Sequence, residues 1–182
     1  MRAESGLGRT ENWAQSHRAA AMFRFILALA ILLFASTAHS ARLSSDSDAT
    51  AACMRDAATR FNVPELALWV ILDVEAGTVG KVTPNKNGTY DIGPMQINSW
   101  WLPRLAQRGI TEDMVLNNLC MNVSVAAWIF AHELTRHGDL TKALAHYHSP
   151  TAHHQRRYLG LIVNAIDRRI SRLRREEGRQ ES

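Results

Sequence analysis

Beyond residue 50, apolar residues fall at helical spacing along most of the chain, with one interruption. The strongest segment is 66–77, which reads L-A-L-W-V-I-L-D-V-E-A-G. Leu68, Ile71 and Leu72 lie seven, four and three positions before Glu75, so one helical face carries all four. Asn62, Val63 and Pro64 predict the helix start, with Pro64 at the first helical position, and Gly77 predicts the stop. Glu75 is therefore expected on an apolar stripe, where desolvation works against the ionised form of a carboxyl. Asp73, two residues earlier, points to roughly the opposite side.

Further helices are predicted over 49–61 (Cys53, Ala57 and Phe61 on one side), 100–108 (ended by Gly109) and 141–148, with a short turn, acids at its start, over 111–116. A longer one over 120–137 is closed by Gly138, with Val123, Ala126, Ala127, Phe130 and Leu134 as its core face. Ser149-Pro150 caps a final helix running to about residue 175, with the stripe Tyr158, Leu161, Ile162, Ala165, Ile166 and Leu173. The interruption is 78–98. Residues 78–90 have no helical period and carry Gly80, Pro84 and Asn87-Gly88, a strong hairpin signal, so a loop or two-stranded flap is expected there. By composition 91–98 is a turn into a helix, with Asn98 as its cap. The pattern predicts a mainly α fold with at most a minor hairpin.

Residues 25–35 form an unbroken apolar run, preceded by Arg24 and followed by Ala38-His39-Ser40, a small-x-small cleavage signal. That is the pattern of a secretory signal peptide, too short for an ordinary spanning helix. Met22, just ahead of Arg24, is the expected start of translation, so residues 1–40 are read as an extension plus leader. Residues 41–50 are expected to be a flexible lead-in, 51–175 one domain and 176–182 a polar tail. Export would take the chain to the periplasm, with no membrane span left after cleavage. A chain of 182 residues with 46% hydrophobic and 21% charged residues is globular rather than disordered. Its two cysteines, Cys53 and Cys120, are expected to pair in an oxidising compartment. The net charge of +4 is modest. The dense arginines from Arg168 to Arg179 read as a solvated helix face, with anionic wall polymers as a functional alternative; nucleic acid is not an expected partner.

Three pieces then line up: Glu75-Ala76-Gly77 at the end of an apolar helix, Gly93-Pro94-Met95-Gln96-Ile97-Asn98, and Ala145-His146-Tyr147-His148-Ser149. Together with Cys120, Asn122-Val123 and Ala126-Ala127, they resemble the soluble lytic transglycosylases of lysozyme-like fold. The likeness is greatest to the small members that accompany conjugation and secretion machines, and it covers about 51–158. The resemblance implies a lysozyme-like α+β domain acting on peptidoglycan glycan strands, at the bond between N-acetylmuramic acid and N-acetylglucosamine. Glu75 matches the family's single catalytic acid. Gly93, Met95, Gln96 and Asn98 match its cleft motif: Gln96 to donate to and accept from an acetamido group, Met95 as an apolar wall, Gly93 to give the backbone room. Tyr147 matches the tyrosine that faces the acid and would orient it. No cofactor is implied. The family usually has serine after the acid, whereas this chain has Ala76, which removes a hydroxyl near the site.

Two patterns mislead. His132-Glu133-Leu134-Thr135-Arg136-His137 looks like a zinc-protease signature, but its histidines are five apart, roughly 140° around a helix. His146, His148, His153 and His154 cluster without a ligand frame, so no metal is expected. Asp91 is the other acid within reach; opposite Glu75 it would make a two-carboxylate muramidase credible. A non-catalytic wall-binding subunit of a secretion or conjugation apparatus is the alternative of another class.

Overall fold

The computed structural model describes residues 47–180. The chain divides into a unit of residues 1–48, of which only Ser47 and Asp48 are described, and a unit from Ala49 to Ser182. The expected leader, its cleavage site and the Met22 start lie outside the described residues, as does most of the lead-in.

The elements run in the order α1 (47–61), α2 (Glu65–Glu75), β1 (Val82–Pro84), β2 (Tyr90–Ile92), β3 (Ile97–Asn98), a 3₁₀ turn (Ser99–Trp101), α3 (Leu102–Ala106), α4 (Glu112–Asn117), α5 (Leu119–His137), α6 (Leu140–His148) and α7 (Ala152–Gln180). The fold is mainly helical with one small sheet, in agreement with the lysozyme-like class. Helix α5 is the hub and packs on α4 and α6, while α7 packs on α6 and α2. The predicted core face of α5 is buried at Val123, Ala126, Ala127 and Phe130, and Leu134 is half-buried at its end. Asn118 caps α5 by accepting from the Met121 N–H, and Gly138 ends it in the left-handed region. Cys53 of α1 is disulfide-bonded to Cys120 at the start of α5, across a sequence separation of 67.

Helix α2 begins one residue later than predicted. Pro64 is the cap, with extended backbone, and Glu65 is the first helical residue. The stop also differs in kind. Ala76, not Gly77, takes the left-handed conformation (φ 49°), and its N–H donates to the Leu72 carbonyl. Gly77 is needed for another reason: a Cβ there would overlap the Gly93 carbonyl and crowd the Gln96 amide. Its N–H donates to the Pro94 carbonyl at 3.1 Å, so helix end and turn meet backbone to backbone.

The flap is larger than expected. β1, β2 and β3 form a three-stranded antiparallel sheet in sequence order, with Val82 opposite Ile92 and Asp91 opposite Asn98. Segment 91–98 is therefore not a turn leading straight into a helix. It ends β2, reverses at 93–96 and pairs again as β3. Positive φ at Gly93 (67°) and Gln96 (49°) makes the reversal. Asn98 does cap the 3₁₀ turn, its Oδ1 accepting from the Trp100 N–H.

Helix α7 buries Tyr158, Ile162 and Ala165, half-buries Ile166, and leaves Leu161 and Leu173 exposed, which corrects the predicted stripe. Residues 171–179 are exposed throughout, so Leu173 has no face to pack on. The helix also runs past the expected end near residue 175. Among the arginines, Arg169 has a definite partner. It makes a two-pronged bond to Asp73, at 2.6 and 2.7 Å, and lies 4.5 Å over the Trp69 ring, clamping α7 to the outer face of α2.

Candidate active site

Glu75, the last residue of α2, lines an open cleft of about 860 Å³. One wall is the sheet and its turn, with Asn85, Asp91, Gln96 and Asn98; the other is helical, with residues of α5 and α6 such as His132, Glu133, His146 and Tyr147. The predicted apolar stripe exists, since Leu68 and Ile71 are fully buried and Leu72 half-buried. It leaves the Glu75 side chain only 12% exposed. The acid is thus held mostly dry at the edge of a groove it shares with Gln96 and Tyr147.

Two side chains crowd Glu75. His148 Nδ1 stands 3.6 Å from its Oε1, and the His148 ring stacks on Tyr158 with centroids 4.4 Å apart and planes within 5°. The Tyr158 hydroxyl is buried with no hydrogen-bond partner in bonding geometry. Burial, and after it the Glu75 carboxylate, push this phenol far above its ordinary pKa. It therefore remains an O–H donor beside the acid. Sequence periodicity places Tyr158 on the core stripe of the last helix, and nothing in that pattern separates a core tyrosine from one whose hydroxyl lies beside the acid.

Tyr147 lies in the cleft, but its hydroxyl donates to the Met95 carbonyl at 2.9 Å rather than to Glu75. Burial first, then Glu75 and Asp91, raise its pKa well above the usual value, so this bond persists at any ordinary pH. Met95 corrects the expectation of an apolar sugar wall: its side chain is 0% exposed and belongs to the core. Only its backbone serves the site, with the N–H donating to Asn122 Oδ1 at 2.9 Å. The room at Gly93 is likewise filled by protein, because a Cβ would strike the Asn122 amide. Asn122, fully buried, also donates to the Ile92 and Val115 carbonyls, each at 3.0 Å. It is the bracket on which the whole turn is hung. In the sequence it stood out only as an asparagine among apolar helix positions and as part of the Asn122-Val123 pair that the resemblance includes.

Gln96 faces the cleft half-buried, its Nε2 donating to the Gly93 carbonyl at 2.9 Å. Among the described residues its Oε1 has no partner, so it retains acceptor capacity for a ligand amide. Asn98 is engaged at both ends: its Nδ2 donates to Asp91 Oδ1 and Thr89 Oγ1, and its Oδ1 takes the Trp100 N–H. Asp91 lines the same cleft as Glu75, yet its second oxygen is also taken, by Asn85 Nδ2 at 3.0 Å. Ala76 is exposed. A feature not foreseen is the aromatic rim. Trp100 is 58% exposed on the cleft, meets Trp101 edge to face at 4.9 Å and is covered by the Arg104 guanidinium at 4.8 Å. Such a flat, exposed ring suits the apolar face of a sugar.

A helical domain with a small sheet, and a nearly buried acid at a helix end beside an open groove, define a lysozyme-like class of glycan-cleaving domain. Within that class, the chain belongs to the transglycosylase SLT domain family, whose model matches residues 52–159. The chain is 30% identical over 125 residues to Protein IpgF of Shigella flexneri, covering 68% of this chain and 82% of that protein. It is 32% identical over 111 residues to Invasion protein IagB of Salmonella typhimurium, covering 60% and 69%. It is also 31% identical over 109 residues to a peptidoglycan-binding-like protein of Escherichia coli O157:H7, covering 56% and 65%. Family membership supports a lytic transglycosylase-like activity, with peptidoglycan as the substrate that family implies.

Proposed function

We propose that the protein is a periplasmic lytic transglycosylase that cleaves the bond between N-acetylmuramic acid and N-acetylglucosamine without consuming water. On this reading Glu75 gives its proton to the glycosidic oxygen as the bond to the anomeric carbon breaks, so the leaving sugar departs neutral. The muramic N-acetyl oxygen shields the cationic carbon. Glu75, now a carboxylate, takes the proton of the C6 hydroxyl as that oxygen closes on the anomeric carbon, and an anhydro ring results. The acid ends as it began, and one carboxyl serves both steps, unlike the usual glycosidase pair.

The observation that carries this reading is the setting of Glu75: 12% exposed, on an apolar stripe, opening into the cleft beside Gln96. A carboxyl so placed can reach the glycosidic oxygen of a strand lying in the cleft. The Tyr158 hydroxyl supports the second step, because a donor beside the carboxylate steadies it between the two proton transfers. Gln96 and Trp100 would hold the acetamido group and a sugar face. Relatives named for invasion suggest local opening of the wall for a secretion or conjugation apparatus. Export through residues 22–40 belongs to the same proposal. Among the described residues no helix is long and apolar enough to cross a membrane.

One observation favours a second reading. Asp91 shares the cleft with Glu75, as a water-activating base of a muramidase would. The weight of products from purified peptidoglycan separates the two. Anhydromuropeptides support the transglycosylase, and reducing ends, heavier by one water, overturn it in favour of hydrolysis. Cleavage by Glu75→Gln at the wild-type rate would refute the acid, and sacculus binding without products would leave only a wall-binding role.

A further inference from the structure

The spacing of His132 and His137 excludes the zinc-protease frame, but folding gathers a different set. Glu133 and His137 stand one turn apart on α5, and His146 comes from α6. Their potential ligand atoms all lie within 4.8 Å of one another. Glu133 Oε2 is 3.3 Å from His137 Nε2, and the Glu133 side chain is 9% exposed. Both atoms are cut off from water, and neither has a partner in hydrogen-bonding geometry. The His146 ring stacks on that of His137, with centroids 4.0 Å apart and planes 23° from parallel.

A buried carboxylate oxygen and a buried imidazole nitrogen, both unbonded, are costly to keep. A metal ion between them would use both. With bonds of about 2.0–2.2 Å and tetrahedral angles, neighbouring ligand atoms are separated by about 3.3–3.5 Å. The Glu133–His137 spacing already matches, and only His146 has to turn inward. Two imidazoles and one carboxylate suit zinc and its neighbours, whereas calcium and magnesium prefer oxygen donors throughout. Glu133 and His146 line the cleft, so the fourth position opens towards it.

We propose that Glu133, His137 and His146 form a binding site for a divalent metal of the zinc class, bridging α5 and α6. The ion is a tie rather than a catalyst. It fixes the helix that carries Tyr147, and so the helical wall of the cleft.

The test is calorimetric titration of the metal-stripped full chain with zinc chloride, with magnesium chloride as control, followed by thermal melts. One equivalent of zinc should bind, and a hundredfold excess over Kd should raise Tm by roughly 8 °C. Magnesium should do neither. His146→Ala, at the margin of the core, should weaken zinc binding at least about tenfold. Glu133→Gln should do the same; if that variant fails to fold, His146→Ala alone decides. The double variant His153→Ala/His154→Ala, at exposed histidines, should keep full affinity. Four results would overturn the proposal: no stoichiometric binding, unchanged affinity in His146→Ala, loss of affinity in the 153/154 variant, or zinc binding that leaves Tm where it was.

Discussion

The two walls of the cleft are built on opposite principles. In the sheet wall nearly every polar group is bonded to another. Asn122 holds Met95, Ile92 and Val115; Asn98 holds Asp91 and Thr89; Asn85 holds the other oxygen of Asp91. In and behind the helical wall, polar atoms are buried and left over, and of their residues only Glu133 lines the cleft itself. Tyr158 Oη, Glu133 Oε2 and His137 Nε2 are the buried side-chain atoms without partners among the described residues, and all three lie on α5 and α7. A saturated network is rigid and has little to offer a ligand, while an unsatisfied group is costly unless something binds it. The difference suggests a division of labour. The sheet wall fixes where a glycan strand lies, and the helical wall, with Glu75 at its foot, supplies the groups that act on it.

Four substitutions test this division, in descending order of effect. Glu75→Gln should cut peptidoglycan cleavage by roughly a thousandfold or more while leaving Tm within about 2 °C, read by product release and thermal melts. Asn122→Ala should strike the other wall. It strands an N–H and two carbonyls in the core, costs on the order of 3–5 kcal/mol, and should lower Tm by roughly 10 °C or more. Tyr147→Phe should destabilise by about 1–3 kcal/mol in urea titration, because the buried Met95 carbonyl loses its donor. Tyr158→Phe removes a buried hydroxyl whose polar neighbour is the Glu75 carboxylate rather than a backbone carbonyl, so stability should change less than in Tyr147→Phe while kcat falls roughly tenfold. The two tyrosines are the sharpest contrast. If Tyr158→Phe cost stability and spared kcat, the helical wall would be ordinary core and the division would fail.

Much of the helical frame was legible. The α5 stripe at Val123, Ala126, Ala127 and Phe130, the stripe leading to Glu75 and the pairing of the two cysteines all appear as predicted. The cleft motif was legible as a motif but not as a set of contacts. Met95 was expected to face a sugar and instead fills the core, with its backbone held by Asn122 on α5 and by Tyr147 on α6. Gly77 was expected to end a helix and instead lets the end of α2 press against Gly93. Leu161 and Leu173 continue the apolar period of α7, yet nothing covers them among the described residues.

What the sequence by itself determined is what neighbours along a helix determine: which residues share a face, where helices stop, and that an acid ends an apolar one. Those properties depend on separations of three or four residues, which a chain displays before it folds. The tertiary structure alone decided which polar groups would find partners. Asn122 meets a turn 27 residues earlier in the chain, Tyr147 meets one 52 residues earlier, and Glu133 meets His146 only because α6 folds back on α5. A hydrogen bond is made or lost over a few tenths of an ångström, and only the packing of distant elements sets distances that fine.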